Sequence, residues 1–210
     1  MRDLLLLHGA GGTPSDWDTF IQSMPDFRCV APDLNGLTTW EAMLDHLDGL
    51  NLDNPAVAGA SLGGALGVRW AKRHPECPGA VNFDGHGWPS AYPGLTQSEM
   101  DGWRAKLTEV FDEMARNMPP HHAALRPLAD SGNVHELYDG LTAPALAVVA
   151  MHLLPAQEPF AEFYIASRNG VLADLAQEEV QVTEFPAHHG LLNTHPAELA
   201  ELVTRFLAER

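Results

Sequence analysis

The sequence predicts an α/β fold, with a mostly parallel sheet of about six strands, helices on both faces and a helical insertion in the middle of the chain. Three observations carry that prediction. Short continuous apolar runs alternate with longer stretches whose apolar residues recur at helical spacing. The apolar runs are closed by Gly, Pro or Asp, which stop strands. The alternation itself is what right-handed βαβ crossovers produce.

Taken in order, Leu4–Leu7 is a continuous apolar run closed by His8-Gly9 and reads as a buried strand. Arg28–Ala31 is the second strand, ended by Pro32-Asp33. A helix is expected over about Thr38–Leu50, with Trp40, Met43, Leu44 and Leu47 on one face. Pro55–Ala60 is the third strand, and Leu62–His74, small and apolar up to Pro75, reads as a helix packed closely on the sheet. Gly79–Phe83, Ala143–Ala150 and Val180–Phe185 are the remaining strands. The last helix runs from about Pro196 to the end, with Leu199, Leu202, Val203 and Phe206 at helical spacing and a Pro and an acid in its first turn. From Trp88 to about Thr142 no strand-like run occurs. A long amphipathic segment, Gln97–Met118, brings Met100, Trp103, Leu107, Val110, Phe111, Met114 and Met118 near one face, and a second helical piece is expected over Ala123–Tyr138. Residues 1–87 and 143–210 are therefore read as the core and 88–142 as a helical insertion placed to act as a lid.

Length and composition narrow the classes of function. The 210 residues suit one large domain that needs no metal or disulfide staple. Hydrophobic residues are 45% and charged residues 19%, an ordinary globular mix. Twelve Lys and Arg stand against 28 Asp and Glu, a net charge of −16, which opposes nucleic acid and anionic membranes as partners. A small-molecule substrate is the expected partner. Cys29 and Cys77 make no disulfide framework and fit a reducing compartment. The leucines after Asp3 are interrupted too soon for a signal peptide, and no apolar run is long enough to span a membrane. A soluble cytoplasmic protein is expected. The pairs His121-His122 and His188-His189 lack Cys or carboxylate at ligand spacing, so neither a metal nor a cofactor is expected.

Three motifs carry chemistry. Gly59-Ala60-Ser61-Leu62-Gly63 lies between a strand and a helix, where a sharp turn thrusts the Ser hydroxyl out and leaves helix N–H groups facing a developing anion. A Gly-x-Ser-x-Gly string arises by chance in only about one in twenty chains of this composition. His8-Gly9-Ala10-Gly11-Gly12 follows the first strand. Its backbone is expected to supply an oxyanion donor at Ala10, with Leu62 giving the other. It lacks the Gly-Lys-Ser/Thr of a phosphate loop and the third spaced Gly of a dinucleotide turn. Pro186-Ala187-His188-His189-Gly190 lies between the last strand and the last helix, and a His there can serve a Ser nucleophile as base.

With these motifs in this order, the chain resembles the α/β-hydrolase superfamily. The resemblance rests on Leu-Leu-His-Gly-Ala-Gly-Gly, Ala-Pro-Asp-Leu-Asn-Gly, Gly-Ala-Ser-Leu-Gly-Gly and Phe-Pro-Ala-His-His-Gly, and spans nearly the whole chain. It implies the α/β-hydrolase fold, shortened by the family's first two strands, with Ser61 as nucleophile. It implies His189 as base, seven residues before Pro196, with His188 as the substitute. Asp33 matches a structural turn. The family's usual acid position, after the fifth strand, is filled here by Leu153. Asp84, at the end of the fourth strand, is one replacement, Glu158 another, and a dyad without an acid or an inactive site the third. Gly9, Trp88, Trp103 and His188 are candidate pocket residues, and His86 is read as loop packing. The resemblance implies hydrolysis of a small-to-medium carboxylic ester, thioester or lactone through an acyl-enzyme. It leaves open a non-hydrolytic protein of the same fold: a lyase, an isomerase, a cofactor-free oxygenase or a small-ligand binder. Epoxide and haloalkane hydrolysis are disfavoured, because those relatives use Asp as the nucleophile.

Overall fold

Four leucines in succession can all be buried only if both faces of their strand are covered. In the computed structural model, which describes residues 1–117, 123–129 and 132–209, that is their position. Leu4 and Leu6 pack with Trp17, Phe20, Val203 and Phe206 on one side. Leu5 and Leu7 pack with Met43, Leu44, Leu66 and Trp70 on the other. Their strand, β1 (Arg2–Leu7), is interior to a six-stranded sheet in which every neighbouring pair is parallel. The order across the sheet is β2 (Phe27–Val30), β1, β3 (Ala56–Ala60), β4 (Ala80–Phe83), β5 (Ala145–Ala150) and β6 (Gln181–Phe185).

The helices follow the expected faces. On one side lie α1 (Asp18–Gln22) and the C-terminal helix α9 (Pro196–Ala208). On the other lie α2 (Trp40–Asp48), capped by Thr39, whose hydroxyl accepts the Ala42 amide, and α3 (Leu62–Arg73). α3 approaches the sheet backbone to backbone. A Cβ on Gly63 would come within 2.2 Å of the Leu7 carbonyl oxygen.

The longest helix that the sequence does not reveal lies near the far edge of the sheet. The crossover from β5 to β6 contains a 3-10 turn, Pro155–Phe160, and α7 (Ala161–Leu175). The buried face of α7 carries Phe163, Ala166, Gly170, Val171, Asp174 and Leu175, while the apolar Ile165 is half exposed. Hydrophobicity does not track burial there. Gly170 is needed because a Cβ would meet the Ala91 carbonyl oxygen at 2.1 Å. Asp174 is buried because its carboxylate accepts the Ser90 amide and hydroxyl, both at 2.6 Å.

The stretch from 88 to 142 is of more than one kind. Its long helix α4 (Gln97–Asn117) packs Met100 and Leu107 on Phe163 of α7. The helical piece expected over Ala123–Tyr138 is split into α5 (Arg126–Ala129) and α6 (Val134–Tyr138), because Asn133 caps a new helix by accepting the Glu136 amide. Trp88 forms a parallel bridge with Asn133, where no strand pairing was expected. Val134, Leu137 and Tyr138 belong to the core, against β5 and α7. α8 (Leu191–Thr194) is a single turn before α9. Met118, His121 and His122 lie outside the described residues. Among the described residues no helix is long and apolar enough to cross a membrane.

Replacing Gly63 with Ala must push α3 off β1. The expected loss is about 1–3 kcal/mol or more, read as a lower urea midpoint at unchanged slope. An unchanged midpoint would show that the start of α3 is free to shift.

Candidate active site

Ser61 sits on the turn from β3 into α3 with φ 54° and ψ −122°, a conformation costly for a residue with a side chain. Its amide donates to the Phe83 carbonyl at 2.8 Å, and its carbonyl accepts the Gly64 and Ala65 amides. The turn thereby joins the end of β4 to the start of α3. Next to it, Gly85 lies so near that a Cβ would be 1.9 Å from the Ser61 carbonyl oxygen.

Asp84 follows β4 directly, with φ 58°, a left-handed conformation that Asp tolerates. Its Oδ1 accepts the Ala150 amide at 2.9 Å. Its Oδ2 lies 2.7 Å from His189 Nδ1. His189 Nε2 lies 3.0 Å from Ser61 Oγ. A carboxylate acceptor fixes the tautomer. Nδ1–H donates to Asp84, so Nε2 is free to accept the Ser61 hydroxyl proton. The hydrogen bond to Asp84 raises the His189 pKa above the ordinary 6.5, against the opposing effects of burial and of the Arg168 charge.

The two remaining acid and base candidates lie elsewhere. Glu158 is exposed on the 3-10 turn after β5 and is not part of the cavity wall. The His188 Nδ1 accepts the Gly190 amide at 3.0 Å, which holds the loop in a tight turn. After β5 the chain is tied to β6 instead of carrying an acid. The Met151 and His152 amides donate to the Phe185 and Ala187 carbonyls.

The glycine-rich loop is set by His8. Its Nε2 accepts the Leu34 amide at 3.0 Å, so Nδ1–H donates to the Gly9 carbonyl at 2.9 Å. That carbonyl also accepts the Gly12 amide, and Gly11 at φ 75° completes a tight turn. The Ala10 amide has no part in the turn's hydrogen bond. Gly9 abuts the serine, since a Cβ there would be 3.2 Å from Ser61 Cβ. Leu62 opens α3, so its amide is one of the first-turn donors without an intrahelical partner.

A cavity of about 310 Å³ opens beside Ser61, Asp84 and His189. Trp88 lines it as expected, whereas Gly9, Trp103 and His188 do not. Trp103 packs instead on Phe160, 6.0 Å between ring centroids, with Lys106 over its face. His86 lies in the wall, buried and fully bonded. Its Nε2–H donates to the Val148 carbonyl, so its Nδ1 accepts the Tyr138 hydroxyl, which in turn accepts the Asn82 amide. Asn82 also exchanges hydrogen bonds with both the amide and the carbonyl of Gly85. Asn82 and Tyr138 thus hold the loop that carries Asp84, and burial lowers the His86 pKa and keeps the ring neutral.

The sequence reading missed Asn82, Tyr138, Arg69 and Arg168. Two of them left a signal: Asn82 is the one polar residue of β4, and Arg69 is the one charge between Leu62 and Ala71.

A profile of the alpha/beta hydrolase family matches residues 4–202. The chain belongs to that family. No curated protein matches it. Solved structures similar to this alpha/beta hydrolase include carboxylesterase CesB from Bacillus subtilis, at 21% identity and a TM-score of 0.60, covering 100% of this chain and 84% of that one. The enol-lactonase from Burkholderia xenovorans matches at 19% identity and a TM-score of 0.65, covering 99% and 91%. The thioesterase domain from the curacin biosynthetic pathway matches at 13% identity and a TM-score of 0.63, covering 97% and 91%. At these identities the likeness is one of fold.

Two outcomes are expected of this hydrogen-bond network. By NMR, the His189 ring titrates above 6.5 in the parent and at a lower pH in Asp84→Asn. With a raised folded value, the stabilisation from this ring is complete below the ordinary pKa and is lost as pH rises through the raised one. Tyr138→Phe leaves the buried His86 Nδ1 without a donor and is expected to cost about 1–3 kcal/mol in denaturant unfolding.

Proposed function

We propose that the protein is a serine hydrolase that cleaves a small-to-medium carboxylic ester, thioester or lactone through an acyl-enzyme on Ser61. The observation that carries this reading is the hydrogen-bonded chain from Ser61 Oγ through His189 to Asp84, with the serine held out at a helix start. In it, Nε2 of His189 takes the hydroxyl proton as Ser61 Oγ attacks the carbonyl carbon. The amides of Leu62 and Ala10 hold the oxyanion. Asp84 keeps Nδ1 protonated and stabilises the imidazolium. His189 then gives the proton to the departing alcohol or thiol, and activates the water that releases the acid. The insertion expected to act as a lid contributes Trp88, Leu128 and Leu137 to the cavity wall, which supports that role for this part of it. The carboxylesterase, thioesterase and enol-lactonase similar in fold carry these three chemistries in their names, which supports the substrate class.

The test is intact mass after treatment with a fluorophosphonate. One adduct is expected on the parent and none on Ser61→Ala, whose hydrolysis of short acyl esters collapses to background. A folded parent that takes no adduct and turns over no ester would overturn the reading. The rate should rise with pH through the raised His189 value, since only the neutral ring is a base. Asp84→Asn should lower kcat on the order of 10³- to 10⁴-fold, whereas Glu158→Gln should leave it unchanged.

A further inference from the structure

Two arginines, Arg69 and Arg168, line the cavity beside Ser61. Among the described residues, Asp84 is the one carboxylate in its wall, and it is already engaged by His189 and by the Ala150 amide. The cavity wall therefore carries two arginines against one engaged carboxylate, inside a chain of net charge −16. Charges more than a Debye length of about 8 Å away are screened at physiological salt, so the groups nearest the cavity decide what binds there.

The two cations differ in how they are held. Arg168 donates from both terminal nitrogens to the carbonyls of Met151 and His152, so part of its capacity is used by the loop after β5. Arg69 is held by its face. Its guanidinium carbon lies 4.6 Å from the centroid of the Trp40 ring, a contact that leaves the N–H groups free. Its Nε is buried and, among the described residues, has no hydrogen-bond partner. Glu136 attracts it, but that carboxylate also reaches the Asn133 amide. Burial lowers the Arg69 pKa, and an arginine remains charged at neutral pH all the same. A buried charged donor without a partner is unfavourable until an acceptor arrives.

Position then sets the kind of acceptor. Leu62, Ala65 and Arg69 fall on one face of α3, and all three line the cavity. From Leu62 to Arg69 is about 10 Å along the helix axis. The α3 residues that line the cavity between Ser61 and Arg69, Leu62 and Ala65, are both apolar.

We propose that Arg69, with Arg168 as a second cation, binds a carboxylate of the substrate, so that the preferred substrates are esters, thioesters or lactones bearing a free acid a few atoms from the reacting carbonyl. This rests on the hydrolase reading for the bond cleaved, but not for the binding of the acid.

Two matched pairs of esters test it. p-Nitrophenyl hydrogen glutarate against p-nitrophenyl methyl glutarate puts the acid on the acyl side. 4-Acetoxybenzoate against methyl 4-acetoxybenzoate puts it on the alcohol side. In at least one pair the parent is expected to favour the acid in kcat/KM by about 10- to 100-fold, mostly through KM. That preference should shrink as salt is added, and fall about tenfold or more in Arg69→Gln, with part of it restored in Arg69→Lys. Because the ratio of acid to neutral ester is read, differences in intrinsic reactivity cancel between variants. Calorimetry with Ser61→Ala and monomethyl glutarate gives a second readout that needs no turnover. Binding is expected there, lost for dimethyl glutarate and weakened in Ser61→Ala/Arg69→Gln. Neutral esters turned over with no preference for the acid in either pair would overturn the carboxylate proposal and leave the hydrolase reading standing. Binding of the acid that depends on Arg69, in a parent that takes no fluorophosphonate adduct, would do the reverse.

Discussion

The turn at Ser61 exists only because three stretches of backbone touch around it. α3 lies against the end of β1 at Gly63, and the loop after β4 lies against the turn at Gly85. Neither contact leaves room for a side chain. Those contacts fix where α3 begins, and so where its unpaired amides lie. They also fix the distance between the serine and the carboxylate two residues past Asn82. The remaining parts of the site are then brought to a frame that is already rigid. His189 reaches in from the loop before α8, and Trp88 and α6 close the cavity from the side.

Much of this was legible in the sequence, for identifiable reasons. Runs such as Leu4–Leu7 and Ala145–Ala150 are buried on both faces, so their hydrophobicity is continuous and their ends are marked by turn residues. The serine, the histidine and Asp84 lie at strand ends next to glycines, where backbone crowding and exposed side chains leave a recognisable pattern. What was not legible depends on contacts distant in sequence. The buried face of α7 mixes Gly170 and Asp174 with apolar residues, because it meets a carbonyl at Ala91 and the cap at Ser90. No periodicity in that segment reveals it. Trp103 looked like a pocket residue, but it turns to Phe160, an aromatic of the crossover that the sequence reading had not assigned to an element. The choice between Asp84 and Glu158 needed the fold, because it turns on which carboxylate meets a histidine about a hundred residues later.

The polar network behind the site sets the orientation of the acid. Asn82, Tyr138 and His86 form a directed chain that ends on the Val148 carbonyl, which also accepts the Asp84 amide. Each member has its partners, which is the condition under which buried polar groups add rigidity instead of cost. It also couples α6, from the middle of the chain, to β4 and β5 beneath it.

The position of Asp84 directly after β4 also ties it closely to Ser61. Ser61 and Asp84 leave adjacent strands, and the Ser61 amide is bonded to Phe83, the residue just before Asp84. Ser61 and Asp84 are thereby tied through one strand pair, independently of the pairing between β5 and β6. The loop beyond Ala150 carries no carboxylate of the hydrogen-bonded chain, and its Met151 and His152 carbonyls hold Arg168 instead. The third member of the hydrogen-bonded chain comes from a separate segment, the loop of His189, whose ring is two-fifths exposed and joins the other two from the edge of the sheet.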